Sequence, residues 1–199
     1  MDSASFAPFY ADGAPPWEIG RPQPAVIALA REGRFTGRVL DVACGTGENA
    51  LHLASTGRPV LGIDGAAIAV ERARAKAAER GLDAEFAVAD VFDLVALGRQ
   101  FDTALDSAFL HIFGDQDTRR AYTRQLAAVV PVGGWVHLLQ ISERSGWDTP
   151  KITSADIVDS FVDGWAVGDV RESGYDITYG TAEAWLVSMR RVSDPPAAV

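Results

Sequence analysis

Three acidic residues stand at the ends of short apolar runs: Asp41 in Val39-Leu-Asp-Val42, Asp64 closing Val60-Leu-Gly-Ile-Asp64, and Asp90 after Val88-Ala89. The first run meets Cys44-Gly-Thr-Gly47, a turn whose glycines let a ligand approach the main chain closely. With Ala50 three residues on, Gly45-Thr-Gly47 also fits the short glycine fingerprint of dinucleotide enzymes. Asp41 separates the two readings. A carboxylate beside a diphosphate is repelled, whereas one facing a cationic group is stabilised. Asp64, 17 residues beyond Gly47, is placed to accept both hydrogen bonds of a ribose diol. One such acid would be read as a helix N-cap or a solvated loop residue. Three at three consecutive strand ends point to a ligand.

The spacing predicts the elements that must hold these groups. Strands are expected at 38–42, 60–64, 84–88, 103–106 and from Gly133-Gly134 through Ile141, with helices at 25–31, 48–54, 66–80 and 117–130. A further helix is expected at 154–161 with Thr153 as its N-cap. Two last strands, near 165–171 and 184–190, follow one another without a helix between them and allow an antiparallel hairpin. Alternating strands and helices predict an α/β, doubly wound, mostly parallel sheet covered on both faces, with ligands outside the carboxyl ends of the strands. The domain is expected over 25–199. Residues 1–24, rich in Pro, Gly and aromatics, read as a cover segment.

S-adenosylmethionine carries no phosphate and offers an ammonium, a sulfonium, a ribose diol and an adenine, for which Asp41, Asp64 and Asp90 are plausible partners. Val39-Leu-Asp-Val-Ala-Cys-Gly-Thr-Gly47, Gly62-Ile-Asp64, Val88-Ala-Asp90 and Phe101-Asp-Thr-Ala-Leu-Asp106 together resemble the successive motifs of class I S-adenosylmethionine-dependent methyltransferases. The resemblance implies a seven-stranded sheet with one antiparallel strand. It assigns the cofactor's surroundings to Asp41, Ala43, Cys44, Gly45, Thr46 and Gly47. Further along, it adds Asp64 with Gly65, Asp90 with Val91, and Asp106 with Ser107. Ala43 stands where the family often has glycine. Cys44 reads as a small loop residue, since nothing nearby in sequence pairs it with a base.

Gly13-Ala-Pro-Pro-Trp-Glu-Ile-Gly-Arg-Pro-Gln-Pro24 resembles the N-terminal signature of the branch acting on small heterocycles, the thiopurine-like and heterocyclic-toxin enzymes. That likeness makes Trp17, Arg21 and Gln23 contacts of the cofactor's methionine end, and Phe6, Phe9 and Tyr10 part of an acceptor pocket. Aromatics in such an arm also serve simply to fasten it to the core. Ser107-Ala-Phe-Leu-His-Ile-Phe113 follows the fourth strand, where this fold places the acceptor; Phe109 and Trp147 join that pocket, and His111 is its general-base candidate. His137 alternates with Trp135 and Leu139 and reads as core.

Bulk properties narrow the remaining options. The chain has 199 residues and a formal net charge of -9, which disfavours nucleic acid and anionic lipid as partners. One cysteine excludes an internal disulfide, and three scattered histidines show no metal-ligand spacing, so no metal is expected. A cytoplasmic monomer or weak homodimer acting on a small molecule is the expectation, with S-adenosylhomocysteine as product. Two alternatives stand beside it. A nicotinamide-dependent oxidoreductase is disfavoured at Tyr122, where Leu126 occupies the position of the lysine in a Tyr-x-x-x-Lys pair. A noncatalytic S-adenosylmethionine-binding protein would keep the fold without turnover.

Overall fold

The structure is a computed structural model and describes residues 7–11, 13, 15–162 and 164–194. Strands β1 (Val39–Val42), β2 (Val60–Asp64), β3 (Glu85–Val88), β4 (Thr103–Ser107), β5 (Trp135–Ile141), β6 (Trp165–Ile177) and β7 (Gly180–Arg191) form one sheet of order β3-β2-β1-β4-β5-β7-β6. β1 to β5 run parallel, and β7 is antiparallel to both of its neighbours. The order reverses between β1 and β4, which opens a crevice at their carboxyl ends.

Helices α1 (Ala7–Ala11), α2 (Pro24–Arg31), α3 (Glu48–Ser55), α4 (Ala67–Arg80), α5 (Gln116–Val129) and α6 (Ser154–Ser160) surround it. Alternate residues of each buried strand enter opposite layers. Leu40 and Val42 meet Tyr122 and Leu126 of α5, whereas Val39 and Val60 meet Leu29 of α2, Leu51 of α3 and Val70 of α4. Helices on both faces explain why β1 and β2 are apolar and buried at nearly every position. Asp41 is the exception inside β1. Thr153 caps α6 by accepting from the Asp156 N–H at 3.0 Å, as the residue type predicts.

The hairpin is longer than the expected 165–171 and 184–190. β5 stops pairing at Ile141 opposite Ala184, while β6 and β7 stay paired to Ile177 and Gly180. Their tip therefore overhangs the carboxyl edge of the sheet. Glu172, Ser173, Gly174 and Thr181 read as a loop because strand pairing, and not apolar alternation, holds them.

The cover segment is stitched to this overhang. Asp176 gives its N–H to Gln23 Oε1 and takes Gln23 Nε2–H on its carbonyl, both at 2.8 Å, and its carboxylate pairs with Arg21 at 2.8 Å. The Thr178 N–H donates to the Pro16 carbonyl at 2.9 Å. Among the described residues no helix is long and apolar enough to cross a membrane. Phe6 lies outside the described residues.

Candidate active site

A cavity of about 850 Å³ lies at the carboxyl ends of β1, β2 and β4. Its walls come from the cover segment, the turn after β1, the loops after β4 and β5, and the hairpin tip. That volume is at the upper end of the range for small-molecule pockets.

Asp41 lines it from inside the sheet. The side chain is buried, and among the described residues neither carboxylate oxygen has a hydrogen-bond partner of good geometry, the Ala50 N–H being a poorly aligned donor. Burial pushes its carboxyl up to about 8; the nearby Ala50 N–H opposes the shift, and the charges of Asp106 and Asp64 add to it. Ser107 Oγ, on the adjoining strand β4, is a second buried polar atom without a partner in the same lining. Orphaned buried polar groups are rare and costly unless a ligand completes them. A carboxylate completed by a cation and a hydroxyl completed by a polar ligand atom suit an amino-acid moiety, not a diphosphate.

Asp64 occupies the end of β2, with Oδ2 accepting the Gly45 N–H at 2.9 Å and Oδ1 the Ala66 N–H at 2.8 Å. These bonds orient the carboxylate and leave each oxygen acceptor capacity for a diol. Burial raises its carboxyl, and the two backbone N–H groups oppose the rise.

The glycine turn is built for reasons the sequence does not display. Gly47 has φ +85°, and a Cβ there would fall 2.7 Å from the Phe86 ring, so this glycine answers to packing against β3. Gly47, Thr46 and Gly65 do not line the cavity; Gly45, Cys44 and Ala43 do. At Gly45 a Cβ would meet Glu18 Oε1 at 2.7 Å, because the cover segment presses on the turn. Ala43 has φ +52° and Ala108, after β4, φ +72°, a region that costs an L-residue about 1–2 kcal/mol and collects at functional sites. Burial holds the Cys44 thiol well above its usual range, so it is no thiolate nucleophile.

Three residues expected at the cofactor, Asp90, Val91 and Asp106, do not line this cavity. Asp90 is exposed beyond the cavity, its carboxylate accepting the Phe92 N–H at 2.9 Å, and Val91 is core. Asp106 is buried behind the wall and saturated by four donors: the Phe109 and Leu110 N–H groups, Gln140 Nε2 and Tyr122 Oη. It organises the loop after β4. Arg21 and Gln23 do line the cavity, but their polar ends are engaged by Asp176, as above. Trp17 lines it too and gives its Nε1–H to Tyr10 Oη at 3.1 Å, with Phe9 edge-on at 5.5 Å.

Glu18 is a residue that sequence reasoning missed. Its carboxylate accepts the Thr46 N–H at 3.1 Å and the Thr46 hydroxyl, closing the cover onto the turn. Lys76 of α4 donates to Thr46 Oγ1 and pairs with Glu48, which also takes both terminal nitrogens of Arg80. The neighbouring sequence, Trp17-Glu-Ile19, carries no periodic signal for this.

On the acceptor side, Phe109, His111 and Trp147 line the cavity together with Tyr175, Ile177 and Tyr179 of the hairpin, which the sequence did not single out. Trp147 packs against Tyr179 in a tilted pair, ring centroids 5.3 Å apart. His111 is buried, and burial lowers its imidazole to about 4, so the ring is neutral at physiological pH. Its Nδ1 lies 3.0 Å from Gln140 Oε1. His137, as expected, is core: Nδ1 meets Ser188 Oγ at 2.8 Å and Nε2 the Arg34 carbonyl at 3.1 Å. Among the described residues no cluster of His, Cys, Asp and Glu suits a metal ion.

A sheet of this order, with a crevice at its switch point, defines a Rossmann-like fold with one antiparallel strand. Residues 39–134 match the family model for a methyltransferase domain. The chain is 36% identical over 135 residues, 67% of its length, to a 2-heptyl-1-hydroxyquinolin-4(1H)-one methyltransferase of Mycobacteroides abscessus. To a probable thiol methyltransferase of Arabidopsis thaliana it is 31% identical over 138 residues, again 67% of its length. These stretches span 59% and 61% of the two relatives. A solved structure described as the conversion of a disulfide bond into a thioacetal group during echinomycin biosynthesis superposes with a TM-score of 0.88. It is 34% identical, covering 98% of this chain and 93% of that one. The chain belongs to the class I S-adenosylmethionine-dependent methyltransferases.

Proposed function

We propose that this protein methylates a small, flat, largely apolar acceptor, with S-adenosylmethionine as donor. The observation that carries the reading is the pair of buried polar groups, Asp41 and Ser107, without a partner among the described residues, in the lining of a cavity that is otherwise rich in aromatic side chains. Asp41 would hold the donor's ammonium and Asp64 its ribose diol, with the Gly45 turn beneath. When bound, the donor supplies a methyl group activated by a sulfonium.

The chain's own part is to align the acceptor and exclude water. Trp17 and Tyr10 roof the site, and the Trp147–Tyr179 pair flanks its mouth. Alignment of this kind is worth roughly 7–11 kcal/mol in well-oriented systems, so no strongly reactive side chain is required. The relatives' acceptors, an N-hydroxyquinolinone and thiols, support a nucleophile carrying an acidic proton on an apolar body. A net charge of -9 supports an enzyme that does not act on nucleic acid, and a lone cysteine supports a cytoplasmic one.

The test is incubation with methyl-labelled S-adenosylmethionine and a panel of phenols, thiols, N-hydroxyl compounds and heterocyclic amines. Label transferred to a small molecule, with S-adenosylhomocysteine formed, supports the reading. Tight S-adenosylmethionine binding without turnover on any acceptor would favour a noncatalytic role, and selective binding of NAD(P) would favour an oxidoreductase.

A further inference from the structure

His111 has one ring nitrogen committed and one free. Gln140 is fully buried, and the orientation of its amide is dictated from the far side: Nε2 donates to Asp106 Oδ1 at 2.8 Å and to the Asp106 carbonyl at 3.1 Å. Both of those atoms are acceptors. A flipped amide would set its oxygen against two oxygens and its NH₂ against the His111 backbone N–H, which donates to Oε1 at 3.0 Å. Oε1 must therefore face His111, and the Nδ1 within 3.0 Å of it must carry the proton. Asp106 in turn cannot rotate, since it is pinned by the Phe109 and Leu110 N–H groups and by Tyr122 Oη. What remains is Nε2, a lone pair with no partner among the described residues, on a residue that lines the cavity.

We propose that Gln140 is a positioning residue that fixes His111 as the Nδ1–H tautomer, making Nε2 the proton acceptor for acceptor molecules with a hydroxyl or N-hydroxyl nucleophile. The inference rests on the methyl-transfer reading and adds the substrate class that needs this base. In the step, the acceptor's O–H bond breaks and its proton goes to His111 Nε2. The oxygen's electron pair forms the new O–C bond, while the C–S bond breaks with its pair remaining on sulfur. The products are a methyl ether, a neutral thioether and an imidazolium that later returns its proton to water. An acceptor already present as an anion, such as a thiolate, needs no such transfer. Removing the tautomer lock should therefore discriminate between the two.

Two measurements test this. Nitrogen-15 NMR of the ligand-free protein at neutral pH should show His111 protonated on Nδ1 and bare on Nε2, and in Gln140→Met a mixture of tautomers. A wild-type His111 protonated on Nε2 overturns the proposal, and this holds even should the variant fail to fold. In turnover with phenol as the probe acceptor, Gln140→Met should lose activity in proportion to the fall in its Nδ1–H fraction read by NMR. With thiophenol, ionised at the assay pH, it should keep the wild-type rate. Equal losses with both probes would reduce Gln140 to a packing residue and overturn the proposal. Wild-type protein that methylates neither probe, nor any other small acceptor, while its His111 spectrum is as expected would instead refute the methyl-transfer reading.

Discussion

Lowering the pH from 7 to 6 should weaken cofactor binding about ninefold, through Asp41 alone. With its carboxyl at about 8 in the free protein, Asp41 is ionised in about 9% of molecules at pH 7 and about 1% at pH 6. An ammonium at its orphaned oxygens selects the ionised form, so binding must expel close to one proton in this range. The cofactor's own amino group, with an ordinary α-amino pKa of about 7.7–8.0, stays charged across it. Calorimetry with S-adenosylhomocysteine in two buffers of different ionisation enthalpy reads both the affinity and the proton count. Asp41→Asn should bind more weakly and lose the dependence, which separates Asp41 from Asp64 and from Asp106, itself raised to about 6 by burial. The linked effect on stability has the opposite direction from that of a salt-bridged acid. The folded state holds this proton more tightly than the unfolded chain does, so ligand-free stability falls as pH rises from about 4 to 8, by up to 1.4 kcal/mol per unit. That slope, too, should flatten in Asp41→Asn. A wild-type affinity independent of pH, or an equal slope in the variant, would refute the reasoning.

Ala43→Gly should stabilise the protein by roughly 0.5–1 kcal/mol in urea denaturation, because relief at φ +52° outweighs glycine's added chain entropy; a loss of stability would show that the methyl group's packing matters more. Gln23→Ala removes both amide contacts to the Asp176 backbone at a cost of about 1–3 kcal/mol to local closure. Hydrogen exchange should quicken at Asp176 while β1 to β5 keep their protection, and unchanged exchange would show that the cover is held elsewhere. Trp147→Ala should raise the acceptor KM about tenfold, aromatic pairs being worth about 0.5–1.5 kcal/mol beyond their buried area, with S-adenosylhomocysteine affinity held. Weakened cofactor binding instead would move Trp147 out of the acceptor end.

Local pattern was enough for the five parallel strands and the turn after β1, because apolar runs ended by acids and glycines are dictated by neighbours in sequence. Asp41 and Asp64 stood out for the same reason. What stayed hidden depends on distant pairs. Gly47 reads as a ligand-facing residue until Phe86 of β3 is seen against it. Asp106 sits in a family motif yet is consumed by Gln140, Tyr122 and the following turn. Arg21 and Gln23 face a hairpin tip more than 150 residues away, and that tip, which carries Tyr175 and Tyr179, is formed by strand pairing without apolar alternation. Glu18 clamps the turn only because the cover folds back over it.

A crystal structure of the protein with S-adenosylhomocysteine tests the account most directly. It should place the ligand's ammonium within about 3 Å of Asp41, as charge-assisted hydrogen bonds require, and its ribose diol on Asp64. Adenine or ribose lying against Asp41, or a dinucleotide whose diphosphate alone settles over residues 45–47, would contradict it.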